Sequence, residues 1–531
     1  MRITLNLLRE GMELSKSALR DGASFKEVVV VQPSDEGVFW KLFVRPMPSK
    51  PAAWTKNVVS IVTDLTELAG LRTQSSAGVL LIQVDGRVFA VTFGAGYHAV
   101  SPASVEPSFG LKVTANVVTR DKVTSADTKG FNQSARSQKT VMPSAGEFAA
   151  LGVEPTEEWV RQMSGKVGDE SFASTASGAD SLHLGIKEFS MLGLPEKLKQ
   201  ILNYYERDTY KNDFGFLDNF TRLAKRDPLV VDLDARLGLM VSERDPSLAF
   251  AAPDPFEQLK VHHYRIQYRK HRDLEELLTD DVYEVLKFLN VSNDPLRRVS
   301  VRALNEDGDD IDRKYDLYDY VQVEIDHSDG HRYALTSGAW FRIDRNYLNE
   351  IEAYVAALDD VSDQLTLEDW RPSELTVKKK DDTAEGLYNE NLAKLRSWAL
   401  LDKKNLLLGG YRKIEICDLL TPERQLLCVK RASKSSTLSH LFAQANVSAS
   451  LMHEPRYQDR LMEALRTLRA EAAYGQRGDW TFVYAIATSK PGRLSKSLFF
   501  FSKVNLVTAA RGIVALGYKV ALARIEVVEE T

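Results

Sequence analysis

Apolar and polar positions change period several times along the chain, and each change marks a differently built segment. Up to about residue 125, the runs FKEVVVVQ, GVFWKLFV, KNVVSIV and VLLIQVDGRVFAVTFG alternate or cluster β-branched and aromatic residues, the pattern of half-buried strands. Asp85-Gly86 divides the last run and predicts a two-residue hairpin turn, because both residues tolerate positive φ. An antiparallel sheet is the expected product. From about 125 to 190 the alternation fades into TSADTKGFNQSARSQKT and SGKVGDESFASTASGADS, whose Ser, Thr, Gly and Asp content predicts loops. Helical spacing then takes over in PEKLKQILNYYERD (195–208) and LDNFTRLAKRD (217–227). LKVHHYRIQYRKHR (259–272) reads as one strand, followed by a helix over 273–290. RRVSVRAL, YDYVQVEI and HRYALTSGAWFRID continue as strands, and a helix is expected near 346–358.

Charge runs around Trp370-Arg371-Pro372, within 360–382, mark a boundary. Beyond it TAEGLYNENLAKLRSWAL predicts a helix, and IEICDLL and LLCVKR predict two strands about a Thr421-Pro422 turn. STLSHLFAQ opens a further helix, and the chain then alternates helix 455–474, strand 480–487, helix 501–517 and strand 519–527. The expected fold class is α+β and multidomain. It comprises a strand-rich N-terminal region (1–190), a mixed α+β middle (191–375) and a C-terminal α/β mixed sheet (380–531) with helices on both faces.

At 531 residues the chain exceeds what one core usually holds, and 44% hydrophobic with 27% charged residues is ordinary for a globular protein. No apolar run of membrane-spanning length and no signal-peptide pattern occurs, so a cytoplasmic protein without a membrane partner is expected. Two cysteines, Cys417 and Cys428, exclude a disulfide framework. Net charge is −5, yet its distribution is uneven. Residues 378–531 carry 25 Lys and Arg against 16 Asp and Glu, while residues 1–377 carry 44 against 58. A basic module joined to an acidic body fits a polyanion partner. Arg265 and Arg269, interleaved with Tyr264 and Tyr268, add a candidate strand for nucleic-acid backbone contact and stacking.

The densest chemistry lies between Ile414 and Gln444. Asp418 stands on the first of the two strands and Lys430-Arg431 at the end of the second. A carboxylate and a lysine on adjacent strands can share one site, the acid holding a divalent cation and the ammonium facing a phosphate. Lys434, Ser436 and Ser439 lead into the following helix, whose N-terminal N–H groups suit a phosphate. His440 and Gln444 lie four residues apart and share a helical face. This arrangement resembles the core of the PD-(D/E)xK nucleases, in their Mrr-like branch. There the second strand reads Gln- or Glu-x-Lys, the preceding helix supplies an acid and a later helix supplies a Gln. The chain instead reads Cys428-Val429-Lys430. The resemblance implies a restriction-endonuclease-like C-terminal sheet. It further implies Glu385 (or Glu390) and Asp418 on Mg2+ or Mn2+, Lys430 at the scissile phosphate, and Gln444 with His440 positioning water or backbone.

EGLYN, STLSHLFAQANVSA, LFFFSKVNL, TFGAGYHAV and SGADSL, together with the hairpin, resemble a sporadically distributed bacterial family of mobile and phage-defence genes. The expected function is therefore nucleic-acid binding in antiphage defence, as a metal-dependent nuclease. The alternative is a non-catalytic sensor of nucleic acid or of a phage protein on a degenerate nuclease fold. DNA is the expected partner before RNA, and homo-oligomerisation stays open.

Overall fold

In the computed structural model the Asp85-Gly86 turn forms as its chemistry dictates. Both residues take positive φ, +50° and +76°, and the flanking strands pair antiparallel in register. The structure describes residues 2–528 apart from 21, 31–36, 47–48, 52–65, 67–69, 131–136, 152–157, 189, 225–226, 246, 254–260, 276, 292, 306–307, 309, 312–313, 376–382, 402–405, 409–410, 415, 432–434 and 469–474. KNVVSIV and Lys434 therefore lie outside the described residues. The fold is mixed α+β, with several antiparallel sheets and one largely parallel sheet. Among the described residues no helix is long and apolar enough to cross a membrane.

Contacts group the chain into two units. The first holds residues 1–129, 138–218 and 222–231, and the second holds 130–137, 219–221 and 232–531. The first is built on one sheet of ten strands: β1 (Arg2–Leu7), β2 (Lys26–Val28), β3 (Phe39–Pro46), β4 (Ser76–Val84), β5 (Arg87–Gly94), β6 (Val118–Gly130), β7 (Ser137–Gly146), β8 (Glu158–Val167), β9 (Thr175–Gly178) and β10 (Leu182–Gly185). Their order in space is β2-β3-β4-β5-β1-β10-β9-β8-β6-β7. Helices α1 (Phe109–Val117) and α2 (Leu194–Glu206) cover one face, where Phe109, Val113 and Leu198 join Leu5, Ile82 and Leu184 in a buried core. Leu19, Phe25 and Val100 cover the opposite face beside β3–β5.

The glycine motifs of this unit serve close packing. A Cβ on Gly178 would stand 1.8 Å from the Gly110 carbonyl oxygen, so α1 rests on β9 backbone to backbone. Asp180 of SGADSL accepts the Ser108 N–H at 2.9 Å and so holds the start of α1. Two expectations are corrected here. Residues 124–130, 137–140 and 164–181 contribute much of β6, β7, β8 and β9, because Ala126 and Thr128 alternate inward and partner strands supply the hydrogen bonds that composition cannot reveal. The stretch 217–227 contains a short strand, Phe220–Arg222, in place of a helix. In the second unit Phe220 is buried with its ring 5.4 Å from Tyr347 and 6.4 Å from Phe500, a tertiary contact that overrides helical spacing.

In the second unit 263–274 folds as a hairpin, β11 (His263–Gln267) and β12 (His271–Leu274), in place of one strand, and the helix expected from 273 starts at Thr279. A meander of β13 (Val321–Asp326), β14 (Arg332–Thr336) and β15 (Ala339–Ile343) leads to α3 (Arg345–Ala357). The site-bearing sheet comprises β16 (Asp359–Asp360), β17 (Ala399–Leu400), β18 (Leu419–Leu420), β19 (Gln425–Arg431), β20 (Thr481–Thr488) and β21 (Lys519–Glu526). Its order is β16-β21-β20-β19-β18-β17, parallel from β16 to β19 and antiparallel beyond. α4 (Ala384–Arg396) packs Tyr388 and Leu392 on Val429, Ala485 and Ala523, with Trp370 stacked on Tyr388 at 5.0 Å. α5 (Ser435–Leu451) sets Phe442 edge-on to Tyr484 at 5.0 Å. α6 (Phe500–Ala515) lies between β20 and β21 in the chain and is buried along most of its length.

Candidate functional site

α4 starts where it does because the Thr383 hydroxyl accepts the Gly386 N–H at 3.0 Å, which puts Glu385 in the first turn. Burial of Tyr388 and Leu392 then fixes the helix against β19. One residue beyond the buried Val429, the Lys430 ammonium donates to Glu385 Oε2 at 2.5 Å, and both side chains are about a quarter exposed. Glu390 is directed elsewhere and pairs with Lys394 at 3.8 Å on the surface. Of the two acids on α4, Glu385 alone reaches the strand lysine.

Asp418 owes its place to a break in the expected strand 414–420. Tyr411–Ile414 pairs with Leu406–Leu408, whereas Leu419 and Leu420 pair with β19. At the break, the Asp418 N–H donates to the Leu427 carbonyl at 2.9 Å and its Oδ2 accepts the Val429 N–H at 2.6 Å. The carboxylate thus extends the ladder one step past a two-residue strand. Without it a buried N–H next to Lys430 would lose its acceptor, at a cost of about 1–3 kcal/mol. Glu385 and Lys430 thus meet at the C-terminal end of β19, and Asp418 is anchored to the backbone one residue before Lys430.

The other candidates fall around or away from this corner. Arg431 follows Lys430 at the strand end and is half-buried. Ser436, Ser439 and His440 lie on α5 with side chains outside the described residues. Gln444 is exposed on α5, turned away from buried Leu441, Phe442 and Ala445. Arg265 makes a two-pronged bond to Asp273 across the hairpin, at 2.9 and 2.8 Å, and Arg269 lies 5.6 Å from the Tyr268 ring in the turn. Cys428 is 5% exposed, and burial pushes the neighbouring Cys417 thiol well above its ordinary pKa.

A family profile described as a family of unknown function, DUF6119, matches residues 3–526. The chain belongs to the DUF6119 family. No curated protein and no solved structure matches it. In this DUF6119 chain a divalent cation has a poor set of donors. Magnesium and manganese take oxygen ligands, and the strand position where the nuclease resemblance calls for an acid or amide holds the Cys428 thiol. Glu385 is bound to Lys430 and Asp418 to the Val429 N–H. Among the described residues no three His, Cys, Asp or Glu side chains form a group that could hold an ion. The corner therefore does not fit a preformed magnesium site.

The DUF6119 chain also carries a buried ionic network that the sequence reading passed over. Lys503 is only 4% exposed and donates to Glu352 at 3.2 Å, while Glu324 accepts the Phe500 N–H at 2.5 Å. Burial pushes the Glu324 carboxyl up to about 7. One signal for it was present: LFFFSKVNL sets a single charged residue inside a largely apolar helical run.

Proposed function

We propose that this DUF6119 protein is a cytoplasmic nucleic-acid-binding protein of bacterial antiphage defence, whose C-terminal sheet is of restriction-endonuclease-like type. It meets the phosphodiester backbone at Lys430, with Glu385 and Asp418 holding the lysine and its strand end. The observation that carries the reading is the pairing of Lys430 with Glu385 of the leading helix, beside a strand break whose Asp418 holds the backbone at Val429. The resemblance calls for that set: an acid on the leading helix, an aspartate on the first hairpin strand and a lysine on the second. The basic balance of residues 378–531 supports a polyanion partner. Lys430 is held by one carboxylate, so an arriving phosphate competes with Glu385 for the ammonium. Asp418 holds the backbone at Val429 and with it the direction of the lysine. DNA is the proposed polymer, and binding without cutting follows from the poor donor set for a metal.

A second reading, metal-dependent phosphodiester hydrolysis, is favoured by the retained pairing of two acids with a lysine. Both are tested with the full chain and labelled single- and double-stranded DNA and RNA. Fluorescence anisotropy is followed against salt, and gels are run with Mg2+, Mn2+ or chelator. The expected result is DNA binding that weakens steeply with salt, falls at least about tenfold in Lys430→Ala and leaves every strand intact. Metal-dependent cutting that disappears in Lys430→Ala would establish the second reading. Absence of binding at low salt would overturn both.

A further inference from the structure

Beyond the end of β20, the loop after Thr488 borders a cleft of about 900 Å³ within the second unit. Open parallel sheets commonly take ligands outside the C-terminal ends of their strands, and the volume lies in the range of small-molecule sites. Asp245, Glu324 and Glu352 line it together with Lys490, Ser497 and Lys503.

The acids of this cleft are already engaged. Arg332 donates to Asp326 at 2.7 and 3.1 Å and to Glu352 at 2.8 Å, and Lys503 adds a second bond to Glu352. Glu324 holds the Phe500 N–H, and Asp245 accepts the Ser247 N–H at 2.7 Å. Two cations stand apart from this network. The half-buried Lys490 ammonium lies 3.7 Å from the centre of the Phe499 ring, with no carboxylate partner among the described residues. Lys496, exposed and lining the same cleft, also has none. Beside them the Ser497 hydroxyl is buried without a hydrogen-bond partner. Desolvation lowers the Lys490 pKa, while Glu324 and Asp245 hold it up.

A half-buried cation beside a buried, unbonded hydroxyl is costly unless something accepts from both. A carboxylate would bring one negative charge to two ammonium groups. A phosphate brings more charge and enough oxygens for both lysines and the serine. We infer that this cleft binds a small ligand carrying a phosphate group, with Lys490 countering its charge and the Ser497 hydroxyl donating to one of its oxygens. Beyond the phosphate the cleft has room for an attached nucleoside. This assignment does not depend on the Lys430 corner.

The test is isothermal titration of the full chain with inorganic phosphate and, separately, with nucleoside 5′-monophosphates. Wild type is expected to bind at least one of them, Lys490→Ala to lose about tenfold or more in affinity, and Lys490→Arg to stay near wild type. Ser497→Ala should lose several-fold, and Lys430→Ala should leave binding unchanged. Equal affinity for phosphate and nucleotides would identify phosphate as the ligand, and tighter nucleotide binding would identify the nucleotide. No binding of either, or unchanged affinity in Lys490→Ala, would overturn the assignment. If Lys490→Ala fails to fold, unchanged affinity in Ser497→Ala would overturn it.

Discussion

Lys430 and Lys490 belong to neighbouring strands of one sheet, the first at the end of β19 and the second just past the end of β20, and they meet opposite fates. A carboxylate lies 2.5 Å from Lys430, that of Glu385, 45 residues earlier in the chain. Lys490 rests on an aromatic ring, and the carboxylates of its cleft are held by other donors. A motif marks the first lysine and nothing marks the second. The comparison teaches that motif recognition finds a charge, whereas its availability to a ligand depends on what the surrounding fold has already bound to it.

The contrast is sharpest where a lysine is buried. Lys503→Ala removes a buried ammonium from a partly exposed Glu352 that Arg332 still holds, and a loss of about 2 kcal/mol is expected in chemical denaturation of the full chain. Lys430→Ala breaks a pair that is about a quarter exposed and should cost under about 1 kcal/mol. Equal losses would mean that Lys430 is a structural lysine too. Asp418→Ala should likewise destabilise by about 2 kcal/mol, because the Val429 N–H loses its acceptor, and Asp418→Asn should recover much of that. If Asp418→Asn is no better than alanine, the carboxylate acts by charge and not by completing the ladder.

A pH series separates the cleft from the corner. The Glu324 carboxyl is raised from 4.5 to about 7 in the folded chain, so the folded state binds a proton that the unfolded state releases. The Glu324 contribution to stability should accordingly be fully present below about pH 4.5 and decline as pH rises to about 7. Glu324→Gln should flatten that slope in urea titrations at successive pH values. A slope unchanged by the substitution would assign it to other groups. The smallest effects belong to α4: Glu390→Gln should change stability by less than about 0.5 kcal/mol, as expected of a surface pair. Glu385→Gln, by releasing Lys430, should raise DNA affinity a few-fold in anisotropy; a loss of affinity would argue that Glu385 takes part in binding through a metal.

Legibility in the sequence followed how local each determinant was. The hairpin at Asp85-Gly86 and the helix capped by Asp344, α3, are written in neighbouring residues and formed where expected. Residues 124–130 and 137–140 became strands because they lie side by side in the sheet and β6 is flanked in turn by β8, which starts at Glu158, a pairing that composition does not show. At the corner, spacing alone left Glu385 and Glu390 open, and the orientation of α4 on β19 decided between them. Gln444 shows the reverse case. Its spacing from His440 is helical, but the face it occupies is set by Leu441, Phe442 and Ala445 packing inward. Lys490 was not legible at all, since Glu324, which faces its cleft, lies 166 residues earlier in the chain.

The position of β1 in the ten-stranded sheet has a consequence in time. It is made before the other nine strands of this sheet, yet it lies in the interior between β5 and β10, with Thr4 opposite His183. At ordinary elongation rates, roughly 10–35 s pass between the synthesis of those two residues. Through that interval one edge of β1 waits for a neighbour not yet made, so the nascent chain passes through a stage with an open strand edge, when chaperone engagement matters most.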